Sequence, residues 1–315
     1  MKMILKTPIY IVLIFCLFSC KQNNVNVDEQ PEDTVTTVDP DLERKLQYES
    51  EKKYSIGVID STISNTYLLQ IIAYQHELAF LLKDADSVKA NGLYEDFSKK
   101  MISSLTDYNF SNSEILDNYV NYESADVPKE WQEKIEKLKK YDIELIYEGE
   151  GFHSFQYRHD YFYKTFKGKV TKDLEAFLYN YSEDDKNVFQ MDAGIVVPWK
   201  DVRARVLRWE KYIKKYPESR YNVTAKEVFA YYLQSYLLGM DNTGTYELST
   251  KEIYPEIQQE FLIFIKENPN TFSTEVVKDF LDFFEYAKKQ YDHEAFSNQL
   301  NTHVNGILQE SLNQH

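Results

Sequence analysis

Val202-Arg-Ala-Arg-Val206-Leu-Arg-Trp209-Glu-Lys-Tyr-Ile213-Lys-Lys-Tyr216-Pro217 decides the fold. Val202, Val206, Trp209, Ile213 and Tyr216 return at three- and four-residue steps, the interval that places side chains on one face of a helix. Pro217 cannot continue that helix and stops it. Arg203, Arg205 and Arg208 are candidates to attract an anion, but Arg205 and Arg208 fall opposite the stripe and are expected to be solvated.

Four more stripes follow. Ala225, Phe229, Tyr232, Tyr236 and Gly239 make one, closed by the turn-forming Asp241-Asn242-Thr243-Gly244. Ile253, Ile257, Phe261, Phe264 and Ile265 make the next, ended by Asn268-Pro269. Val277, Phe280, Leu281, Phe284 and Tyr291 precede a last helix through Phe296, Leu300, Val304, Ile307 and Leu308. Each helix has one apolar face, so burial requires that they stack. Trp209 to Ser219 also aligns with Phe261 to Thr271, with an aromatic residue at the first and fourth positions and Pro at the ninth. This weak repeat, over roughly residues 200–290, resembles divergent tetratricopeptide hairpins.

Upstream, Leu68, Ile71, Ile72, Tyr74, Gln75, Leu78, Leu81 and Leu82 form the broad face of a core helix. Further helices are expected at 93–105 and 127–141, the second with Pro128 in its first turn. The period then changes to two: Ile143, Leu145 and Tyr147 alternate with polar residues, Gly149-Glu150-Gly151 turns, and Phe155 and Tyr157 resume the alternation. That pattern predicts a β-hairpin near residues 142–158, and 188–197 reads as a loop or short strand. Only nine glycines and eight prolines punctuate 315 residues, which suits long helices. The expected fold is mainly α, a stack of helical hairpins with a small β-hairpin insertion. Its regions are 41–141 helical, 142–198 mixed and 199–315 helical.

The N-terminus carries an address. Lys2 and Lys6 precede the apolar run Ile9 to Phe18, too short for a comfortable membrane span, and then Ser19-Cys20. Basic, apolar and small residues in that order read as an export signal. Leu17-Phe18-Ser19-Cys20 resembles the lipobox of bacterial lipoproteins, which implies removal of residues 1–19 and acylation of Cys20 at the new N-terminus. Cys16 leaves with the signal, so the mature monomer has no disulfide. Residues 20–40 are polar, acidic and free of aromatics, as expected of a flexible tether. Lys21 stands where an inner-membrane retention signal would have Asp, so the resemblance implies the outer membrane, with the face unspecified. The first acids after Cys20 are Asp28 and Glu29, a poor match to the surface-export signal of Bacteroidetes-type lipoproteins. Asp33-Thr34-Val35, Asp60-Ser61-Thr62 and Asp86-Ser87-Val88 resemble the O-glycosylation triplet of those bacteria, and only the first lies in an evidently accessible stretch. Glu148-Gly149-Glu150-Gly151-Phe152, Asp192-Ala193-Gly194 and the Trp209 to Pro217 helix are similar to uncharacterised lipoproteins of the same group.

The chain has 51 acidic and 36 basic residues, and loss of Lys2 and Lys6 with the signal takes its net charge from −15 to −17. Such a body repels phosphate backbones, so nucleic acid is not an expected partner. The expected partners are a membrane, through lipid on Cys20, and an envelope protein. No cofactor is implied: glycine-rich phosphate loops, paired cysteines, His-Glu-x-x-His and Gly-x-Ser-x-Gly are all missing from the sequence.

Two chemical constellations merit a test. His153, His159 and Asp160, with Glu148 and Glu150 opposite, would suit a transition metal if the hairpin gathers them, since residues six apart share a strand face. Solvated histidines on a strand explain the same pattern. Glu148, Glu150 and Asp192 offer carboxylates for acid–base work on a glycan, although an acidic chain supplies such pairs by chance. Tyr157, Tyr161, Tyr163 and Trp199 invite a sugar-stacking interpretation, but tyrosine at helical spacing belongs more often to the core and its boundary.

Overall fold

A computed structural model describes residues 65–121 and 126–314, all within the compact unit Gln47–His315. The export signal, Cys20, the 20–40 tether, Asp33-Thr34-Val35 and Asp60-Ser61-Thr62 lie outside the described residues. The described chain is mainly α-helical, with small two-stranded antiparallel hairpins. No described helix is long and apolar enough to cross a membrane.

Helix α1 (Thr66–Leu81) begins where the Asn65 side chain accepts the N–H groups of Tyr67 and Leu68 at 3.0 and 3.2 Å, which satisfies donors left over at a helix start. Asp86 does the same for α2 (Ser87–Phe110), taking the N–H of Lys89 at 2.8 Å. Asp86-Ser87-Val88 therefore sits exposed at a helix start, more accessible than the sequence suggests. After α3 (Ser113–Asn118) and α4 (Lys129–Lys139) comes the expected hairpin, β1 (Ile143–Gly149) against β2 (Phe152–Tyr157), with Leu145 opposite Phe155 and a register shift after Tyr147. Then α5 (Tyr161–Phe166) and α6 (Lys172–Asp184) precede the tight hairpin β3 (Gln190–Met191) and β4 (Gly194–Ile195).

The C-terminal stack consists of α7 (Trp199–Lys215), α8 (Asn222–Leu238), α9 (Pro255–Glu267), α10 (Phe272–Gln290) and α11 (His293–Gln314). Between α8 and α9 run two further hairpins, β5 (Gly239–Met240) with β6 (Thr243–Gly244), and β7 (Tyr246–Glu247) with β8 (Glu252–Ile253). Gly239 and Ile253 thus leave the helices to which their spacing assigned them. Gly239 ends α8 at φ +76°, and a Cβ there would stand 2.1 Å from the Thr243 carbonyl oxygen, so only glycine fits.

The repeat has a structural counterpart. Tyr216 and Asn268 end α7 and α9 with matching backbone angles, φ −129° and ψ 59° against φ −128° and ψ 49°. Trp209 and Tyr212 in one, Phe261 and Phe264 in the other, are buried. Each following turn is held by a carboxylate from an earlier helix. Asp173 of α6 accepts from the Ser219 hydroxyl at 2.7 Å, and Glu210 of α7 accepts the N–H groups of Phe272 and Ser273 at 2.8 and 3.2 Å.

Two apolar clusters result. The larger joins Trp209, Tyr236, Phe261, Phe280, Phe284 and Phe296 to Leu78, Phe97 and Met101 from the first two helices. The smaller packs Ile71, Ile72, Tyr108 and Leu138 against Ile143 and Phe155 of the hairpin.

Candidate functional site

The mixed segment 142–198, which holds the candidate acids and histidines, contributes to a meeting of hairpin tips. Gly149, Glu150 and Gly151 turn β1 into β2 with φ of +97°, +49° and +86°, and Asp192 and Ala193 turn β3 into β4 with φ of +47° and +50°. Two successive left-handed residues define the turn whose twist matches a two-stranded ribbon. A methyl group on Gly149 would stand 3.2 Å from the Met191 Cβ, so the first tip rests on the second. The third tip joins them. The Asn242 N–H donates to the Ala193 carbonyl at 3.0 Å, its amide donates to the Asp192 carbonyl, and the Thr243 hydroxyl accepts the Ile195 N–H at 3.1 Å.

This junction brings Glu150 and Asp192 into direct carboxyl contact. The hydrogen bond to Asp192, and then the repulsion of its charge, push the Glu150 carboxyl above the ordinary carboxylate value. The other candidates go elsewhere. Glu148 lies on the outer face of the hairpin, accepting from the Ser154 hydroxyl and from Gln156 at 2.8 Å. His153 lies on the opposite face, its ring 5.0 Å from that of Tyr119 and 5.2 Å from that of Tyr147. His159 follows the end of β2, so it does not share a strand face with His153 as its spacing suggested; its Nδ1 sits 2.9 Å from the Ser182 carbonyl oxygen. Asp160 pairs with Arg158 at 2.6 Å and Lys164 at 2.5 Å. Burial opposes its ionisation, but these two cations prevail and hold its carboxyl down at about 2. Among the described residues no group of three His, Cys, Asp or Glu side chains is arranged to hold a metal ion.

For glycan hydrolysis the carboxylates need a gap of about 5–9.5 Å to flank a sugar bond. Glu150 and Asp192 are within hydrogen-bonding reach of each other, too close to flank a sugar bond, and Glu148 is engaged by Ser154 and Gln156. Two of the three tyrosines nominated for stacking on sugar stack on each other instead, the rings of Tyr157 and Tyr161 lying 5.1 Å apart at an interplanar angle of 22°, and Tyr163 meets the Tyr179 ring edge-on at 5.4 Å.

The strongest electrostatic feature was read incorrectly from periodicity. Arg205 is only 4% exposed and Asp184 only 2%. Asp184 accepts from Arg208 and, at 2.6 Å, from the Trp209 indole N–H. Arg205 donates to the Tyr232 hydroxyl at 3.1 Å and the Asn187 carbonyl at 2.9 Å, with its guanidinium 5.2 Å from the Phe189 ring centre. Arg203 pairs with Glu260 at 3.0 Å and Glu267 at 2.6 Å. Neither Arg205 nor Arg208 is the solvated cation expected on a wet helix face. Burial raises the Asp184 carboxyl pKa, while Trp209, Arg208 and Arg205 pull it back. Around Asp184 the Arg205, Arg208, Trp209 and Tyr232 groups all have partners within the protein, the satisfied state that buried polar groups require, while the buried Glu260 Oε1 has its ion pair with Arg203 but no hydrogen bond. The role of the Asp184 network is to join α6, α7 and α8.

A groove of about 470 Å³ runs between α10 and α11, lined by Phe272, Glu275, Val276, Asp279, His303 and Ile307 among others. His303 stacks on Phe283 with ring centres 3.8 Å apart, and its Nε2 lies 2.6 Å from Asp279. Sequence reasoning did not single out these residues, because their grouping depends on how two helices pack. Comparison with protein-family models, curated proteins and solved structures finds no match to this chain.

Proposed function

We propose that this protein is a cell-envelope lipoprotein, held in the outer membrane by lipid on Cys20, whose helical body serves as a protein-binding or scaffolding module. The N-terminal succession of basic, apolar and small residues before Cys20 supports the anchor. Several acyl chains on one cysteine make such an anchor effectively permanent, since each buried methylene adds about 0.8 kcal/mol. The observation that carries the binding role is the exposure of apolar side chains on both faces of the first hairpin near its tip and on the segment beside it. Phe152 is 61% exposed, Val120 51% and Tyr147 45%, and Val120 carbons lie 3.5 to 3.8 Å from where a Gly151 Cβ would be. Apolar side chains grouped on a surface mark contact sites. Glycan binding or hydrolysis through Glu148, Glu150 and Asp192 draws less support, because Glu150 and Asp192 bond to each other and Glu148 is held by Ser154 and Gln156.

The test uses the full chain in its own envelope. Metabolic labelling with an alkyne fatty acid should mark the wild type and leave Cys20→Ala unmarked. Photo-crosslinkers placed beside Phe152 should join the protein to one recurring envelope partner, and Phe152→Ser should abolish that adduct. An unlabelled wild type defeats the anchor; adducts that neither recur nor respond to Phe152→Ser defeat the binding role.

A further inference from the structure

The two edges of the β1–β2 hairpin are treated differently. The Arg158 N–H donates to the Asp142 carbonyl at 2.7 Å, which sets the phase of the ladder. Glu144 and Ile146 then exchange bonds with Gln156 and Ser154, while the N–H and C=O of Leu145 and Tyr147 point away from β2. On the far side the corresponding groups of Phe155 are taken by one side chain: Asn109 accepts its N–H at 2.9 Å and donates to its carbonyl at 3.1 Å. The β2 edge is thereby tied at its centre, where β1 has no such clasp among the described residues. Among the described residues nothing does the same for Leu145 and Tyr147, and β1 pairs with β2 alone.

We propose that the outer edge of β1 is a docking strand, onto which a partner segment alternating basic and apolar residues adds as a third antiparallel strand. This rests on the binding-module reading and names its partner's chemistry. Outward N–H and C=O groups form a template for an extended chain, and the alternate side chains set which chain is accepted. Glu144 and Glu148 lie on one face of β1 with Ile146 between them, so an incoming strand would place side chains four residues apart beside the two carboxylates. Lys139 and Arg158 also act on Glu144, and Glu148 accepts from Ser154 and Gln156, so an incoming cation adds to contacts these carboxylates already make. Leu145 and Tyr147 lie on the other face, where the exposed Tyr147 suits apolar neighbours. A second copy is a poor occupant, since antiparallel self-pairing of β1 brings Glu144 and Glu148 of one molecule against the acids of the other.

The probe is a fluorescein-labelled, acetylated Lys-Val-Lys-Val-Lys-Val peptide, titrated into the full-length protein with amide exchange read by residue. In the free protein the amides of Leu145 and Tyr147 should exchange at least about tenfold faster than those of Glu144 and Ile146, and the peptide should slow them by about tenfold. Tyr147→Pro removes an outward N–H without breaking a bond to β2 and should abolish peptide binding. Glu144→Lys with Glu148→Lys, which keeps every backbone group, should weaken it about tenfold or more. Protection of Leu145 and Tyr147 before any peptide is added overturns the proposal, as does exchange unaltered by the peptide or equal binding by the charge-reversed variant. If the peptide fails while the crosslinked envelope partner persists in Tyr147→Pro, the docking strand is rejected and the binding module stands. If the partner adduct fails in wild type while the peptide binds, the reverse holds.

Discussion

The two apolar clusters are built by different means. The larger is assembled from long helices whose aromatic stripes meet, and its one dehydrated ion network is closed around Asp184. The smaller joins one end of α1 and of α2 to a hairpin and two shorter helices, and polar side chains tie its irregular backbone one group at a time. Gln75 donates to the Tyr141 carbonyl at 2.8 Å, Asn112 to the Tyr108 carbonyl at 2.7 Å, and Asn109 spans Phe155. Regular helices satisfy their own backbone, so their side chains are free to make a core. A hairpin leaves two edges, and each needs its own solution.

The comparison predicts where single changes act most strongly. Asp184→Ala removes the acceptor of Trp209 and Arg208 and leaves Arg208 without its ion-pair partner, with Asp185 the remaining acid acting on the buried Arg205. Breaking one side of a buried pair costs about 3–5 kcal/mol, which urea titration would read as a large fall in midpoint. Asp184→Asn keeps an acceptor for the indole and should lose less. Equal stability of Asp184→Ala and wild type would show that the larger cluster does not depend on its ion network. Next in size is Gly239→Ala, which meets a carbonyl oxygen and a left-handed backbone together. It should cost about 3 kcal/mol, with the loss felt where α8 enters the third hairpin.

Periodicity exposed the five C-terminal helices because each carries its stripe within a few turns. It also lay in Leu174, Phe177, Leu178 and Tyr181 of α6, a signal overlooked because the neighbouring hairpin made the whole segment look irregular. The error at Arg205 has another cause. A helix face opposite one stripe is wet only if no second element covers it, and the carboxylate, rings and carbonyl that receive these arginines come from α6, α8 and the 187–189 loop. The hairpin was legible from alternation and its glycines. The contact of Glu150 with Asp192 was not, because those residues are brought together by turns packing tip to tip.

Asn109→Ala sharpens the contrast at the smaller cluster. It frees the N–H and carbonyl of Phe155, and loss of two such bonds should cost about 1–2 kcal/mol. Residue-resolved amide exchange should show Phe155 becoming as labile as Leu145, which converts a hairpin with one open edge into one with two. Unchanged protection at Phe155 would mean that packing of Tyr108 against it, not the Asn109 bonds, shields this edge.

The smallest effect belongs to the tips. Glu150 in the folded protein holds its proton above the ordinary value of 4.5, so the folded state binds that proton more readily than the unfolded chain does. The resulting stabilisation is complete below pH 4.5 and is lost as pH rises through the raised value, leaving two adjacent charges at neutral pH. Asn tolerates the left-handed backbone at position 192, so Asp192→Asn removes the repelling charge with little strain. Carbon-detected NMR titration should then find Glu150 returned toward the ordinary range, and thermal unfolding at pH 7 should be unchanged or slightly higher. Because both side chains reach solvent, water screens most of their repulsion. A large loss of stability in Asp192→Asn would instead assign the second tip to the structural core, and the distinction between a helical block held by burial and a hairpin region held by local polar ties would fail at this junction.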